Sequence, residues 1–367
     1  MPRVLLACET LEAGGAERQI VTDAGLLDEA GWQVSLVSWA GGPMETHVPP
    51  SVRQYRLNRG SWCGRLSGIL GVCRACAPDI IQSHLTGANL LASLAGRSLG
   101  VPVVVTEHGL GLWRRDKLRY RAAVATTYRT AREIQCVCDA TRRAKAGLEH
   151  APLSMTTVAY NCFSRQSVAD TPSGAALRKH LGIPPKAFVA VFVGRLIDVK
   201  RPDLLMAVAG RLLKARDDAY LLIAGDGPWR ECIENWARES ALGECVKLTG
   251  IRNDMQAVYG AGDVLVLTSE RDALSLALLE AGASSLPAIA FDVGGNAEAI
   301  VDAESGYVIP FGDVNAFGAR LAALADDSGL RLSLGGAAAD RAERLFSPEA
   351  RLRALESCYA RLLSGDA

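Results

Sequence analysis

Two stretches of this chain repeat one pattern: a short apolar run, a glycine-bearing turn, then a segment with helical periodicity. The first is Val4 to Cys8, followed by "EAGGAER", a helical pattern from Arg18 to Ala30 and a second apolar run, "QVSLVSW". Parallel strands need a crossover between them, so this order predicts a β-loop-α-β unit of an open parallel sheet. "PDIIQSH", "VPVVVTEHG" and "EIQCVCDA" read as further strands, with "ANLLASLAGRSLG" as a helix between them. The pattern then relaxes into a Ser-, Pro- and Gly-rich stretch over residues 164–187 and starts again. "FVAVFVGR" is followed by a helix from Pro202 to Ala215, "AYLLIAGDG", a helix from Trp229 to Ser240, "VKLTG", "VLVLTS" and "PAIAFDVGG".

A chain of 367 residues exceeds one ordinary core and suits two domains of about 150–200 residues. The expected class is therefore α/β, with two Rossmann-like doubly wound domains facing a cleft. Ligands of such sheets bind beyond the carboxyl ends of the strands. Apolar residues make up 49% of the chain, and Lys plus Arg balance Asp plus Glu at 40 each. That argues against disorder and against a chain-wide field drawing in nucleic acid. The ten cysteines are scattered, and the C-x-x-C pair Cys73 and Cys76 has no second pair to complete a zinc site. No signal-peptide pattern opens the sequence and no apolar run approaches a membrane span, so a cytoplasmic, reduced protein is expected.

The residues with chemistry to offer cluster at predicted strand ends. "GRLIDVK" places Arg195 and Lys200 just past a strand, where two cations suit a diphosphate; a solvated basic loop has the same spacing. Gly14 and Gly15 would let backbone approach a phosphate or sugar, or simply make a tight turn. The dinucleotide fingerprint is missing, which excludes a nicotinamide-dependent dehydrogenase. His108 ends "VVVTEH" and His84 ends "IIQSH", both at the carboxyl edge. A histidine there can donate to a sugar hydroxyl or be satisfied by backbone. Gly225 with Asp226 and Gly294 with Gly295 mark strand-to-helix turns. From Trp113 to Arg132, seven basic residues (Arg114, Arg115, Lys117, Arg119, Arg121, Arg129, Arg132) face one acid, Asp116, with Tyr120 and Tyr128 interleaved. Trp113 and the first five cations suit an anionic membrane face, and a solvated helix is the alternative. The acids of "ERDALSLALLE" pose a pairing problem: Glu280 lies in an apolar run, with Glu270 and Asp272 upstream.

Read together, the motifs "GGAERQ", "TEHG", "NCFS", "VGRLIDVKRPDLL", "IAGDGP", "KLTGIRND" and "LLEAGASSLPAIAFDVGGNAEAI" resemble a retaining glycosyltransferase of family 4, with the GT-B fold. The resemblance runs essentially end to end. It implies an acceptor-side domain over 1–168, a donor-binding domain over 169–345, and a closing helix, about 346–367, crossing back to the first domain.

The family pattern sets two acids with seven residues between them, the second opening a run like "EAMACGLP". That pairs Glu280 with Asp272 and leaves Glu270 to solvent. By resemblance Glu280 would hold the ribose and Asp272, shorter than the usual glutamate, the donor sugar. Gly250, Ile251 and Arg252 would lie beside the base. Leu274, Ser275 and Leu276 would present backbone to phosphate or sugar, and Gly14 and Gly15 would close on the diphosphate. Arg195, Lys200, His108 and Asp272 are the expected catalytic set. Ser285 stands where the family often has glycine. The implied partners are a UDP- or GDP-linked sugar and a glycan or lipid-linked acceptor, in polysaccharide, lipopolysaccharide or glycolipid synthesis, with no nucleic acid, no metal and no cofactor. The enzyme would be cytoplasmic, peripheral on the inner membrane face. A sugar-nucleotide epimerase or a binding protein on the same fold is the alternative.

Overall fold

A computed structural model of the chain describes residues 1–57, 60–111, 118–165 and 173–365. They form two compact units. Unit 1 comprises Met1–Cys162 with Pro348–Ala367, and unit 2 comprises Phe163–Ser347. The 168/169 boundary expected from the sequence falls outside the described residues.

Unit 1 is a seven-stranded sheet of β1 (Arg3–Cys8), β2 (Gln33–Ser38), β3 (Arg53–Arg56), β4 (Ile80–His84), β5 (Val103–Glu107), β6 (Glu133–Cys136) and β7 (Thr156–Val158). Their order is β3-β2-β1-β4-β5-β6-β7, and every pairing is parallel. Helices α1 (Gly15–Glu29), α2 (Trp62–Cys76), α3 (Thr86–Leu99), α4 (Leu118–Thr130) and α5 (Asp139–Glu149) make the crossovers. A parallel sheet is covered on both faces, so its strands are apolar at every position rather than at every second one. In β1, Leu5 and Ala7 join the core on one side while Val4, Leu6 and Cys8 join the core on the other. That explains why "VLLAC" announces itself, whereas β3 (RQYR), a mostly exposed polar edge strand, does not.

The helix Pro348–Ser364 belongs to unit 1. Leu355, Cys358 and Tyr359 fill the second of these cores. Arg351, fully buried, forks onto Asp23 of α1 with Nε–Oδ1 and Nη2–Oδ2 distances of 2.9 and 2.7 Å. It also donates to the Ala159 carbonyl at 2.8 Å, and Gln19 donates to the same Asp23 at 2.8 Å. A charge this deeply buried is tolerable because every polar end is met.

Unit 2 repeats the plan with β8 (Phe188–Val193), β9 (Ala219–Ala224), β10 (Val246–Gly250), β11 (Val264–Leu267), β12 (Ala288–Phe291) and β13 (Gly306–Ile309), in the order β10-β9-β8-β11-β12-β13. Its strands again alternate between two cores, Phe188, Ala190 and Phe192 on one side and Val189 and Val191 on the other. In each sheet the strand order reverses beside the first strand, between β1 and β4 and between β8 and β11. That reversal is where open α/β sheets take ligands.

Candidate functional site

In unit 2 the switch point is flanked by the loops after β8 and β11. The first carries Arg195 and Lys200, the second Asp272. The two loops are tied together: Thr268 donates its hydroxyl to the carbonyls of Lys200 (3.0 Å) and Arg201 (3.2 Å), and the Glu270 N–H donates to Val199 at 2.9 Å. Lys200 lies in a short 3-10 turn, Asp198–Lys200, and its Nζ reaches Asp272 Oδ2 at 2.6 Å. Both side chains are less than one-fifth exposed. Arg195 is exposed and has no side-chain partner among the described residues. The structure thus brings Lys200 and Asp272 into contact and leaves Arg195 projecting.

Two glycines shape the surroundings. At Gly294, with φ +53°, an added Cβ would lie 1.6 Å from the Asp272 carbonyl, and Gly295 donates its N–H to Ala273 at 2.7 Å. The Gly-Gly turn, which the sequence marks only as a strand-to-helix turn, therefore seats the acidic loop. At Gly225, an added Cβ would lie 1.9 Å from the Gly194 carbonyl, and its N–H donates to Gly250 at 2.8 Å. The ends of β8, β9 and β10 can converge only because no side chain intervenes.

Leu274 and Ser275 are buried, and Leu276 opens the helix Leu276–Ala283. Glu280 lies in that helix, 1% exposed, with Oε2 accepting from the Tyr259 hydroxyl at 2.6 Å. Tyr259, itself buried in the helix Met255–Gly260, has no sequence motif to announce it. Beyond Gly250, Ile251 is 79% exposed. Arg252 forks onto Asp254 (2.9 and 2.5 Å) and holds its carboxyl below the usual range. Glu270 is exposed, 3.7 Å from Arg201.

In unit 1, Gly14 caps α1 in extended backbone and Gly15 is its first residue. Glu9, just past β1, accepts from the Gly87 N–H at 2.5 Å and so ties the loop after β1 to the start of α3. His84 ends β4. His108 sits one residue past β5 rather than at its end, because the strand closes at Glu107. The two rings meet edge to edge, with centroids 5.0 Å apart and planes 27° apart, and His84 Nδ1 lies 2.8 Å from His108 Nε2. Burial first, then the charge of Arg351, pushes the His84 imidazole down to about 3. Burial, then His84 and Arg351, holds His108 well below its usual value against an opposing pull from Asp23.

The basic segment needs a correction. Trp113, Arg114, Arg115 and Lys117 lie outside the described residues. Arg119, Arg121, Arg129 and Arg132 are exposed, but the interleaved tyrosines are not outward anchors. Tyr120 and Tyr128 turn inward and donate to the two oxygens of Glu149 at 2.9 and 2.8 Å. Lys145 stands between Glu149 (3.1 Å) and Glu107 (2.7 Å). Burial alone would lower Lys145, but the two carboxylates outweigh it and raise it. The aromatic residues of α4 thus serve a buried network, and the arginines alone remain for a surface role. Among the described residues no helix is long and apolar enough to cross a membrane, and no group of three or more His, Cys, Asp or Glu could hold a metal ion.

A doubly wound unit with a cation and a carboxylate across its switch point, on glycine-lined strand ends, belongs to the class of open α/β proteins that take ligands beyond the carboxyl ends of their strands. Family comparison narrows the class. Residues 13–164 match the family model Glycosyltransferase Family 4, and residues 175–341 match Glycosyl transferases group 1. The chain belongs to the family 4 glycosyltransferases, and the resemblance read from its motifs is borne out. It is 27% identical over 305 residues to D-inositol 3-phosphate glycosyltransferase of Corynebacterium aurimucosum, covering 78% of this chain and 72% of that one. It is 25% identical over 337 residues to the UDP-Gal:alpha-D-GlcNAc-diphosphoundecaprenol alpha-1,3-galactosyltransferase of Escherichia coli, covering 87% and 86%. Among solved structures it is similar to Anabaena Alr3699/HepE in complex with UDP (TM-score 0.85, 18% identity, 98% and 99% covered). It is also similar to a glycosyltransferase from Rickettsia africae (TM-score 0.87, 16% identity, all of both chains). The fold is GT-B.

Proposed function

We propose that this protein moves a sugar from a nucleotide-diphosphate donor, UDP- or GDP-linked, to an acceptor hydroxyl with retention at the anomeric carbon. The observation that carries the reading is the Lys200–Asp272 contact at 2.6 Å across the switch point of unit 2, with Arg195 exposed on the same loop. When donor enters, Asp272 turns to the sugar hydroxyls while Lys200 and Arg195 take the diphosphate. The bond from anomeric carbon to phosphate breaks with its electron pair going to the diphosphate. The acceptor oxygen attacks the same face, and its proton passes to the departing phosphate oxygen. Two fixed cations on the leaving group do what a divalent ion does in other sites, so the reaction needs no metal or other cofactor.

Glu280 holds the ribose, Gly250, Ile251 and Arg252 lie beside the base, and Leu274, Ser275 and Leu276 meet the donor with backbone. For unit 1 the roles carried over are Gly14 and Gly15 on phosphate and His108 on the donor sugar. The similarity to structures with UDP, UDP and glucose, and UDP-glucose supports a nucleotide-sugar donor. The E. coli relative, named for transfer to a diphosphoundecaprenol-linked sugar, supports a glycan or lipid-linked acceptor in polysaccharide, lipopolysaccharide or glycolipid synthesis. Arg119 and Arg121 would then rest on the anionic cytoplasmic leaflet, as peripheral contacts. The test is a thermal-shift screen of nucleotide diphosphates and their sugars, followed by transfer assays in excess chelator. A ligand at 100 times its Kd adds about 2.7 kcal/mol. A donor that stabilises and turns over under chelation supports the reading; activity restored only by a divalent ion overturns it.

A further inference from the structure

Between β4 and β5, unit 1 carries a histidine pair of which the reading above uses one member. The strand ends that bear the pair are cross-tied by Asn89 of α3. It accepts from Ser83 at 2.8 Å and donates to the Thr106 carbonyl and the Glu107 carboxylate, each at 3.3 Å. Directly after His84, Leu85 has φ +73° and ψ 149°, a conformation rare outside glycine. Such backbone persists where surrounding structure over-determines it, and it clusters at functional sites. His84 itself is 0% exposed.

Two neutral imidazoles joined by one hydrogen bond have two possible proton arrangements, and the distance between their nitrogens does not distinguish them. If His108 Nε2–H donated, His84 would accept on Nδ1 and carry its own proton on Nε2. That nitrogen is buried with no hydrogen-bond partner among the described residues, so the proton would be an orphaned buried N–H, among the rarest defects in folded proteins. The cation bearing on the pair, Arg351, also disfavours an unpaired N–H dipole in its field more than a bare lone pair. Asp23 is the other charge bearing on it, and it is forked onto that same Arg351 at 2.7 Å.

We propose that His84 is a positioning residue that donates Nδ1–H to His108 Nε2, fixing His108 as the neutral tautomer with its proton on Nδ1. His108 then has one role open to it, as an uncharged hydrogen-bond donor through Nδ1. This suits holding a sugar oxygen and rules out taking a proton there. The hydrogen bond between the two ring edges, whose planes are 27° apart, fixes the direction of that donor. Both rings are in the Nδ1–H form, which is the minority form of free imidazole side chains. The role toward sugar rests on the function proposed above; the tautomer does not.

The experiment is a long-range 1H–15N correlation spectrum of 15N-histidine-labelled full-length protein at pH 7, with the five histidines assigned by single substitution. His84 and His108 should both show the Nδ1–H pattern. In His84→Asn, whose amide nitrogen can donate in place of Nδ1, His108 should keep that pattern. In His84→Leu it should relax toward the Nε2–H form and titrate at higher pH. A His108 signal of Nε2–H type in the unsubstituted protein, an imidazolium at either site at pH 7, or equal behaviour of the Asn and Leu variants overturns the proposal. Hydrolysis of UDP-glucose is the second readout. His108→Ala should slow it at least tenfold. If the tautomer pattern holds but that variant is as active as the parent, the sugar-facing role falls and the proton arrangement stands.

Discussion

Lys200 Nζ and Asp272 Oδ2 stand 2.6 Å apart, each neutralising the other at the place where the second sheet reverses its strand order. One is proposed to meet phosphate and the other sugar, so the contact is a resting state in which two ligand-binding groups satisfy each other. Replacing Lys200 with Ala should lower kcat/KM by about 10²–10³, the roughly 2.7–4 kcal/mol of a donor aimed at developing charge. Stability should fall by only about 1 kcal/mol, as for other partly exposed pairs. Kinetics and urea denaturation on the same variant separate the two. A stability loss larger than the loss in transition-state binding would make the pair a structural strut.

Glu280 and Tyr259 form the other acid contact, fully out of solvent. Tyr259→Phe should cost about 1–3 kcal/mol, because a buried carboxylate loses a donor. Glu280→Gln keeps an acceptor oxygen for Tyr259 and should weaken UDP binding 10–100-fold, the worth of a hydrogen bond to a charged group. Calorimetry with UDP decides. Unchanged affinity in Glu280→Gln removes this residue from the nucleotide site.

Ser285 has φ +55°, which glycine adopts freely and serine does not. The strain of a left-handed residue, about 1–2 kcal/mol, exceeds the extra chain entropy of glycine, about 0.5–1 kcal/mol. Ser285→Gly should therefore stabilise unit 2 by about 0.5–1 kcal/mol, read as a raised urea midpoint at unchanged slope. A lowered midpoint would contradict the backbone assignment.

His84 gives stability a pH signature. Its folded value lies near 3 against about 6.5 unfolded, so below pH 6.5 the unfolded chain binds a proton the folded chain refuses. The contribution is fully present above pH 6.5 and lost as pH falls toward 3, about 2 kcal/mol at pH 5. Acid-lowered carboxylates such as Asp254 push in the same direction, so the quantity to measure is the difference between the parent and His84→Asn. The parent should lose about 2 kcal/mol more than the variant between pH 7 and pH 5; equal losses would contradict a neutral buried ring.

Arg119 and Arg121 should each contribute about 1 kcal/mol to binding of vesicles containing anionic lipid. The double change to Glu should weaken sedimentation with phosphatidylglycerol vesicles at least 30-fold and leave neutral vesicles unaffected. No change on anionic vesicles rejects the surface.

The fold was legible wherever burial demanded apolar runs: β1, β4, β5, β8, β9 and the helix Pro202–Ala215 stand out because both faces of a parallel sheet are covered. β3 and β7, short strands on the edges of the unit 1 sheet, carry no such signal. At the site, the family resemblance separated Asp272 from Glu270, and the structure finds Asp272 on Lys200 and Glu270 near Arg201. Tyr259, Gly294 as the seat of Asp272, and the His84–His108 bond were not legible, since each depends on atoms brought together from distant segments. The inward turn of Tyr120 and Tyr128 was hidden for the same reason: their partner, Glu149, lies 29 and 21 residues away.

Arg351 completes unit 1 from a helix that follows all of unit 2 in the chain. On the ribosome, Asp23 leaves the tunnel more than three hundred residues before its counter-charge does. A buried carboxylate without that fork is unfavourable, so the first unit lacks this contact until the last helix has been translated. The last helix to emerge is therefore the latch on the first lobe.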